Sequence, residues 1–313
     1  MSIKVQLTAL VCLAMAACGG SSASSKGEMN RQAKAAPPPP PVREQKIDRD
    51  VSGEARKDFG RAVALYQEKA KAGWTRDACL SSAHRFEQVA GAHSKMVEAR
   101  YNAGLSYQNC GLLKDAEAQY RAALEIQGNH APSLSNLGQI YFQGGNEARA
   151  KEYWEKAVQA DQKVAAARNN LAWLMIRQVR EHKASLREME EKILNNLRSV
   201  LAVENDNVEA YVLLSLLYME GSEKNKSRLT LAKLLLDKAK EFNDKFAPLY
   251  NARGLLELRN DNVAQALEEF KKAVALDGSF VEARMNVGNV VLGFRKYEEA
   301  GHEFSEVDRK SVV

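Results

Sequence analysis

Small and bulky residues recur along the chain at a fixed step from Ala99 onward. Small residues stand at Gly104, Gly138, Ala172, Ser215, Gly254 and Gly288, separated by 34, 34, 43, 39 and 34 positions. Each is followed by a second member: Ala116, Ala150, Ile193, Ala232, Ala266 and Ala300. Four residues later comes a bulky one, Tyr120, Trp154, Leu197, Leu236, Phe270 or Phe304, and three beyond that a small or β-branched one. A period of this length is the signature of a repeat array. Each unit reads as two antiparallel amphipathic helices, with small residues where the backbones approach and bulky ones filling the remaining gap. Pro132 and Pro248 each fall at the second residue of a unit, where the first turn of a helix tolerates proline.

Two segments, YNAGLSYQNCGLLKDAEAQYRAAL from Tyr101 and LSNLGQIYFQGGNEARAKEYWEKAV from Leu134, closely resemble the tetratricopeptide consensus. The resemblance implies an all-α fold, a right-handed α-solenoid of tetratricopeptide helix-turn-helix repeats. Its units fall at 97–130, 131–164, 165–207, 208–246, 247–280 and 281–313, with a degenerate unit at 54–96. In that unit Tyr66 and Phe86 take the aromatic positions, and Gly73-Trp74-Thr75 breaks the two helices. The units at 165–207 and 208–246 carry nine and five extra residues. Ser185 and Glu188 read as a capping box opening a long second helix in the first of these. The family's proline at the end of each unit is missing here.

These residues specify packing, so function must be sought elsewhere. In a tetratricopeptide stack the first helices line a concave face, at positions two, five, nine, twelve and thirteen of each unit. That register gives Tyr101, Leu105, Gln108, Asn109, Ser135, Gln139, Phe142, Gln143, Asn169, Trp173, Ile176, Arg177, Val212, Leu216, Met219, Asn251, Leu255, Leu258, Met285, Asn289 and Leu292. The face reads as an apolar stripe interleaved with amides, suited to an extended or helical partner segment. Trp173 is the candidate anchor. With cations nearly absent, gripping an acidic chain end is disfavoured. The alternative is that the inserted segments cover part of the stripe.

The N-terminal residues carry a different signal. Lys4 precedes an apolar run, Val5 to Ala17, too short to span a bilayer, which ends at Met15-Ala16-Ala17-Cys18. This resembles a bacterial lipobox, with Met15 where the family prefers Leu. The resemblance implies a signal peptide over 1–17 and a diacylglycerol on Cys18, and Gly19 favours the outer membrane by the family's sorting tendency. Residues 18–53 are polar and low in complexity, and Pro37 to Pro41 should form a stiff rod of about 15 Å. That composition reads as a tether.

The net charge of +5 over 313 residues, without a basic stripe, points away from nucleic acid. The five histidines lack a shared metal spacing, and His302 to Glu306 miss a zinc-binding HExxH because Glu306 replaces the second histidine. Neither GxSxG nor a phosphate-binding glycine loop occurs, so no enzyme activity, metal or cofactor is expected. Cys79 and Cys110 remain once Cys12 is removed with the signal peptide and Cys18 is assigned to the lipid. Equivalent turns of neighbouring repeats are adjacent, so the two either form a disulfide or fill separate packing spots. Val307, Val312 and Val313 lie in the last unit with no polar capping helix after them, and are candidates for contact with a second copy.

The expectation is therefore a lipid-anchored, periplasmic scaffold or assembly factor for an envelope complex. At the level of architecture it resembles pilotins of type IV pilus secretins and the repeat lipoproteins of myxobacterial gliding machinery. The alternative is an adaptor that brings peptidoglycan hydrolases or proteases to their substrates.

Overall fold

In a computed structural model, residues 52–311 are described, apart from Lys224. The expected signal peptide, the lipidation site Cys18, the tether, Val312 and Val313 lie outside the described residues. What is described is all-α, a helical repeat solenoid of fourteen helices without a strand. They are α1 Gly53–Ala72, α2 Arg76–Ala92, α3 Val97–Gln108, α4 Leu113–Ile126, α5 Ala131–Gln143, α6 Glu147–Ala160 and α7 Ala165–Arg180. There follow α8 Leu186–Val203, α9 Val208–Met219, α10 Ser227–Phe242, α11 Ala247–Arg259, α12 Val263–Leu276, α13 Val281–Gly293 and α14 Tyr297–Ser311.

Local chemistry sets the breaks. Gly73, at φ +96°, takes the chain out of α1 through a backbone that side chains disfavour. Thr75 then caps α2 by accepting from the Ala78 amide at 3.1 Å. Pro132 and Pro248 sit in the first turns of α5 and α11. The capping box expected at Ser185 is not formed: Ser185 is at the N-cap of α8, but its hydroxyl makes no cap bond.

Two compact units divide the chain, one ending at Gln119 and the other beginning at Tyr120. In the first, Phe59, Tyr66 and Phe86 are buried with Met96, Ala99 and Ala103. The rings of Phe59 and Tyr66 lie 5.7 and 6.1 Å from that of Phe86. Cys79 and Cys110 are joined in a disulfide with Cα atoms 6.1 Å apart, so they do not occupy separate packing spots. The bridge ties the start of α2 to the turn after α3.

In the second unit each first helix packs on its own second helix and touches the first helix of the next pair. The close approach is literal. A Cβ on Gly138, Gly254 or Gly288 would overlap the ring of Trp154, Phe270 or Phe304 respectively. Where Ala172 and Ser215 hold the same register, Leu197 and Leu236 replace the aromatic, so a larger residue on one helix is matched by a smaller one on the other.

Candidate functional site

The first helices of the second unit, α5, α7, α9, α11 and α13, carry most of the register positions expected to line a groove. Phe142 on α5 and Trp173 on α7 meet edge to face at 5.1 Å and are both half-buried. Such a pair presents a rigid apolar surface with little side-chain entropy to lose. The Arg177 guanidinium lies 5.5 Å from the Phe142 ring centroid and 4.9 Å from that of Trp173. It also pairs with Glu147 and, at 3.5 Å, with Glu181.

Gln139, Leu216, Asn251, Leu255, Met285 and Asn289 are half-buried, as a lining requires. Asn251 accepts from the Asn286 amide at 2.8 Å, which leaves its own nitrogen for other partners. In the first unit Tyr101, Leu105 and Gln108 are half-buried too.

Five expected lining residues are not on the surface: Ser135, Asn169, Ile176, Val212 and Met219 are only 3, 1, 2, 3 and 2% exposed. For Ile176 and Met219 the cause is the inserted segments. Both hold position twelve of an enlarged unit, and Phe142, Leu258 and Leu292 hold that position in regular units with partial or full exposure. The chain after α7 brings Leu186 against the cluster that contains Ile176, and Leu229 of α10 packs on the cluster that contains Met219. Asn169 is enclosed by the start of the next repeat, where its amide nitrogen donates to Asn207 Oδ1 at 3.1 Å and to Glu209 Oε2 at 2.8 Å.

The expectation of a face nearly without cations also needs correction. Position thirteen holds Arg177, Glu220 and Arg259 in three successive units, and only the first was singled out in the sequence. Glu220 accepts from Arg180 Nε at 3.2 Å and lies 3.8 Å from the Arg259 guanidinium. Arg259 also reaches Glu223 at 3.5 Å and the Met219 carbonyl at 3.4 Å. Arg180, Glu220 and Arg259 knit α7, α9 and α11 together at one edge of the face, while Arg177 is held by Glu147 and Glu181. Charge of alternating sign at position thirteen of three successive units was the signal that could have revealed it. Glu209, at position two of its unit, was likewise readable from the register.

Among the described residues, no group of three His, Cys, Asp or Glu side chains is placed to hold a metal. None of the described helices is long and apolar enough to cross a membrane. His302 is exposed, while Glu303 is engaged by Arg284 at 2.7 Å.

Comparison with known proteins agrees with the architecture. Residues 97–130 and 131–164 match one tetratricopeptide repeat model, and residues 251–310 match another. Human protein O-mannosyl-transferase TMTC1 is 27% identical over 193 residues, covering 61% of this chain but only 20% of the human protein. A tetratricopeptide repeat protein from Parabacteroides merdae superposes with a TM-score of 0.57 at 14% identity, over 83% of this chain and 94% of that one. PilW, named as a type IV pilus biogenesis factor, gives 0.50 at 14% identity over 68% of this chain and 92% of its own. The chain thus carries tetratricopeptide repeats, the helix-turn-helix units of a helical repeat solenoid.

Proposed function

We propose that the chain is a non-enzymatic scaffold that holds a segment of another protein against the first helices of its repeats. It would act as an assembly factor for a cell-envelope machine. The observation that carries this reading is the half-buried apolar surface of Trp173, Phe142 and Leu216 on neighbouring first helices, bordered by the Arg177–Glu220–Arg259 row. An apolar centre with a polar edge is the anatomy of a protein-binding patch. Tetratricopeptide repeats serve as such interaction surfaces, which also favours binding over catalysis.

The envelope setting rests on the lipobox-like Met15-Ala16-Ala17-Cys18 and the polar, proline-rich residues after it. A disulfide within the first unit fits an oxidising compartment such as the periplasm. The name of PilW as a pilus biogenesis factor makes pilus or secretin assembly the first process to examine.

The test places a photo-crosslinking amino acid at Trp173 or Leu216 in living cells, with Leu234 as the control on the opposite helix layer. Leu234 is 66% exposed on α10. The groove positions should each capture the same envelope protein. Capture from Leu234 with none from Trp173 and Leu216 overturns the groove. A Cys18→Ala chain should leave the membrane fraction; its retention there would remove the anchor.

A further inference from the structure

The cluster where α7 meets the start of α9 is short of hydrogen-bond donors. Asn169 is 1% exposed. Its amide nitrogen serves two acceptors, Asn207 Oδ1 and Glu209 Oε2, while its own Oδ1 is buried without a partner. Asn207 spends its nitrogen on Glu204 Oε2 at 2.9 Å, and its oxygen already accepts from the Ala210 amide at 2.9 Å. An amide has two N–H groups and a carboxylate has none, so this set has more acceptor capacity than its donors can satisfy.

Glu209 is the accessible member. It is exposed at position two of its repeat, in the register that faces the groove. Among the described residues no lysine or arginine pairs with it, although Arg177, Arg180 and Arg259 of the neighbouring first helices are all committed to Glu147, Glu181, Glu220 or Glu223. Its carboxylate is held by the Asn169 amide, a neutral donor that orients it without neutralising its charge.

We propose that Glu209, oriented by Asn169, receives a basic side chain, lysine or arginine, of the partner segment bound along α7 and α9. An ammonium or guanidinium would donate to the carboxylate and supply the positive charge it lacks. Its aliphatic stem would pass over apolar surface already in place: Trp173 lies one turn from Asn169 on α7, and Leu216 two turns from Glu209 on α9. This deepens the groove reading and rests on it. It specifies an amphipathic segment in which a basic residue accompanies the apolar anchors.

A test uses random peptides displayed on phage and selected against the immobilised full chain, with affinities of the selected peptides then measured by fluorescence anisotropy. The wild-type chain should enrich peptides carrying Lys or Arg at one recurrent position beside apolar residues. Glu209→Gln keeps the shape and the Asn169 contact, and should weaken those peptides by about ten- to a hundredfold. Glu282→Gln, the same register position on α13, should leave them unchanged. Peptides sensitive to Trp173→Ala or Leu216→Ala that lack a basic position, or that ignore Glu209→Gln, would overturn the proposal while the groove stands. Peptides insensitive to Trp173→Ala and Leu216→Ala would overturn the groove itself, and this proposal with it.

Discussion

Replacing Gly254 by alanine pits two effects of opposite sign against each other at one atom. In a helix interior alanine is favoured over glycine by about 1 kcal/mol. The new methyl, however, would lie 2.5 Å from Phe270 Cδ1 and 2.9 Å from Cζ. Carbon atoms pack at about 3.5–4.0 Å, so the ring must retreat by about 1 Å. Phe270 is fully buried, in a cluster with Ala266, Val287, Val290, Val291 and Ala300, so its retreat presses on packed neighbours. The cost therefore falls at the upper end of overpacking, about 3 kcal/mol. Subtracting the propensity gain leaves a net loss of about 2 kcal/mol, roughly a thirtyfold rise in local opening.

Repeat arrays open locally, so the loss should be read where it occurs. Hydrogen exchange of the amides in α11 and α12 is the assay. Phe270→Leu alone should cost about 1–2 kcal/mol from the space it leaves. Together the two changes recreate the Ala172–Leu197 combination found two repeats earlier, and the double variant should be within about 1 kcal/mol of the wild type. The singles and the double thus differ from additivity by about 2 kcal/mol. Additive effects, or protection raised by Gly254→Ala alone, would refute the claim that the small position exists to admit the ring.

Three further outcomes follow from particular contacts. Breaking Cys79–Cys110, which are 31 residues apart, should destabilise the first unit by about 3–4 kcal/mol in the chain-entropy model. Urea unfolding of the Cys110→Ser chain, which should match the reduced wild type, checks this; an unchanged midpoint would reject it. His130 is buried beside Ser133, and burial lowers its pKa to about 4 from 6.5. Because the folded value is the lower, its contribution is complete above pH 6.5 and is lost as pH falls towards 4, by about 3 kcal/mol in all. A His130→Gln chain should lack that part of the acid dependence, and identical pH profiles would exclude it. Glu220 lies between Arg180 and Arg259, and Glu220→Gln should cost about 0.5–1 kcal/mol, an effect that shrinks at high salt; a cost that salt leaves unchanged would refute the electrostatic origin.

Which features the sequence disclosed follows from how tightly each is constrained. The positions of Gly138, Gly254 and Gly288 were legible because each is fixed twice, by helix geometry and by the aromatic it must admit. Pro132 and Pro248 agreed with them for an independent reason, the missing amide. The sequence leaves the pairing of Cys79 with Cys110 open because adjacency of turns does not fix the distance between two side chains; the 6.1 Å Cα separation does. Ile176 and Met219 were misplaced because the register describes a helix face and is blind to what an inserted turn lays over it. Their burial by the segments around Leu186 and Leu229 is a contact between distant residues, with no periodic trace. The Arg177–Glu220–Arg259 row illustrates the opposite failure. Its charges were periodic and readable, but a search for an apolar stripe passes over them. That row also changes the chemistry expected of a partner. Its guanidiniums are occupied by glutamates, whereas among the described residues Glu209 is met by an amide and not by a cation. Selectivity would then come from a single acid beside an aromatic anchor, and substitution there should alter which segments bind before it alters the fold that presents them.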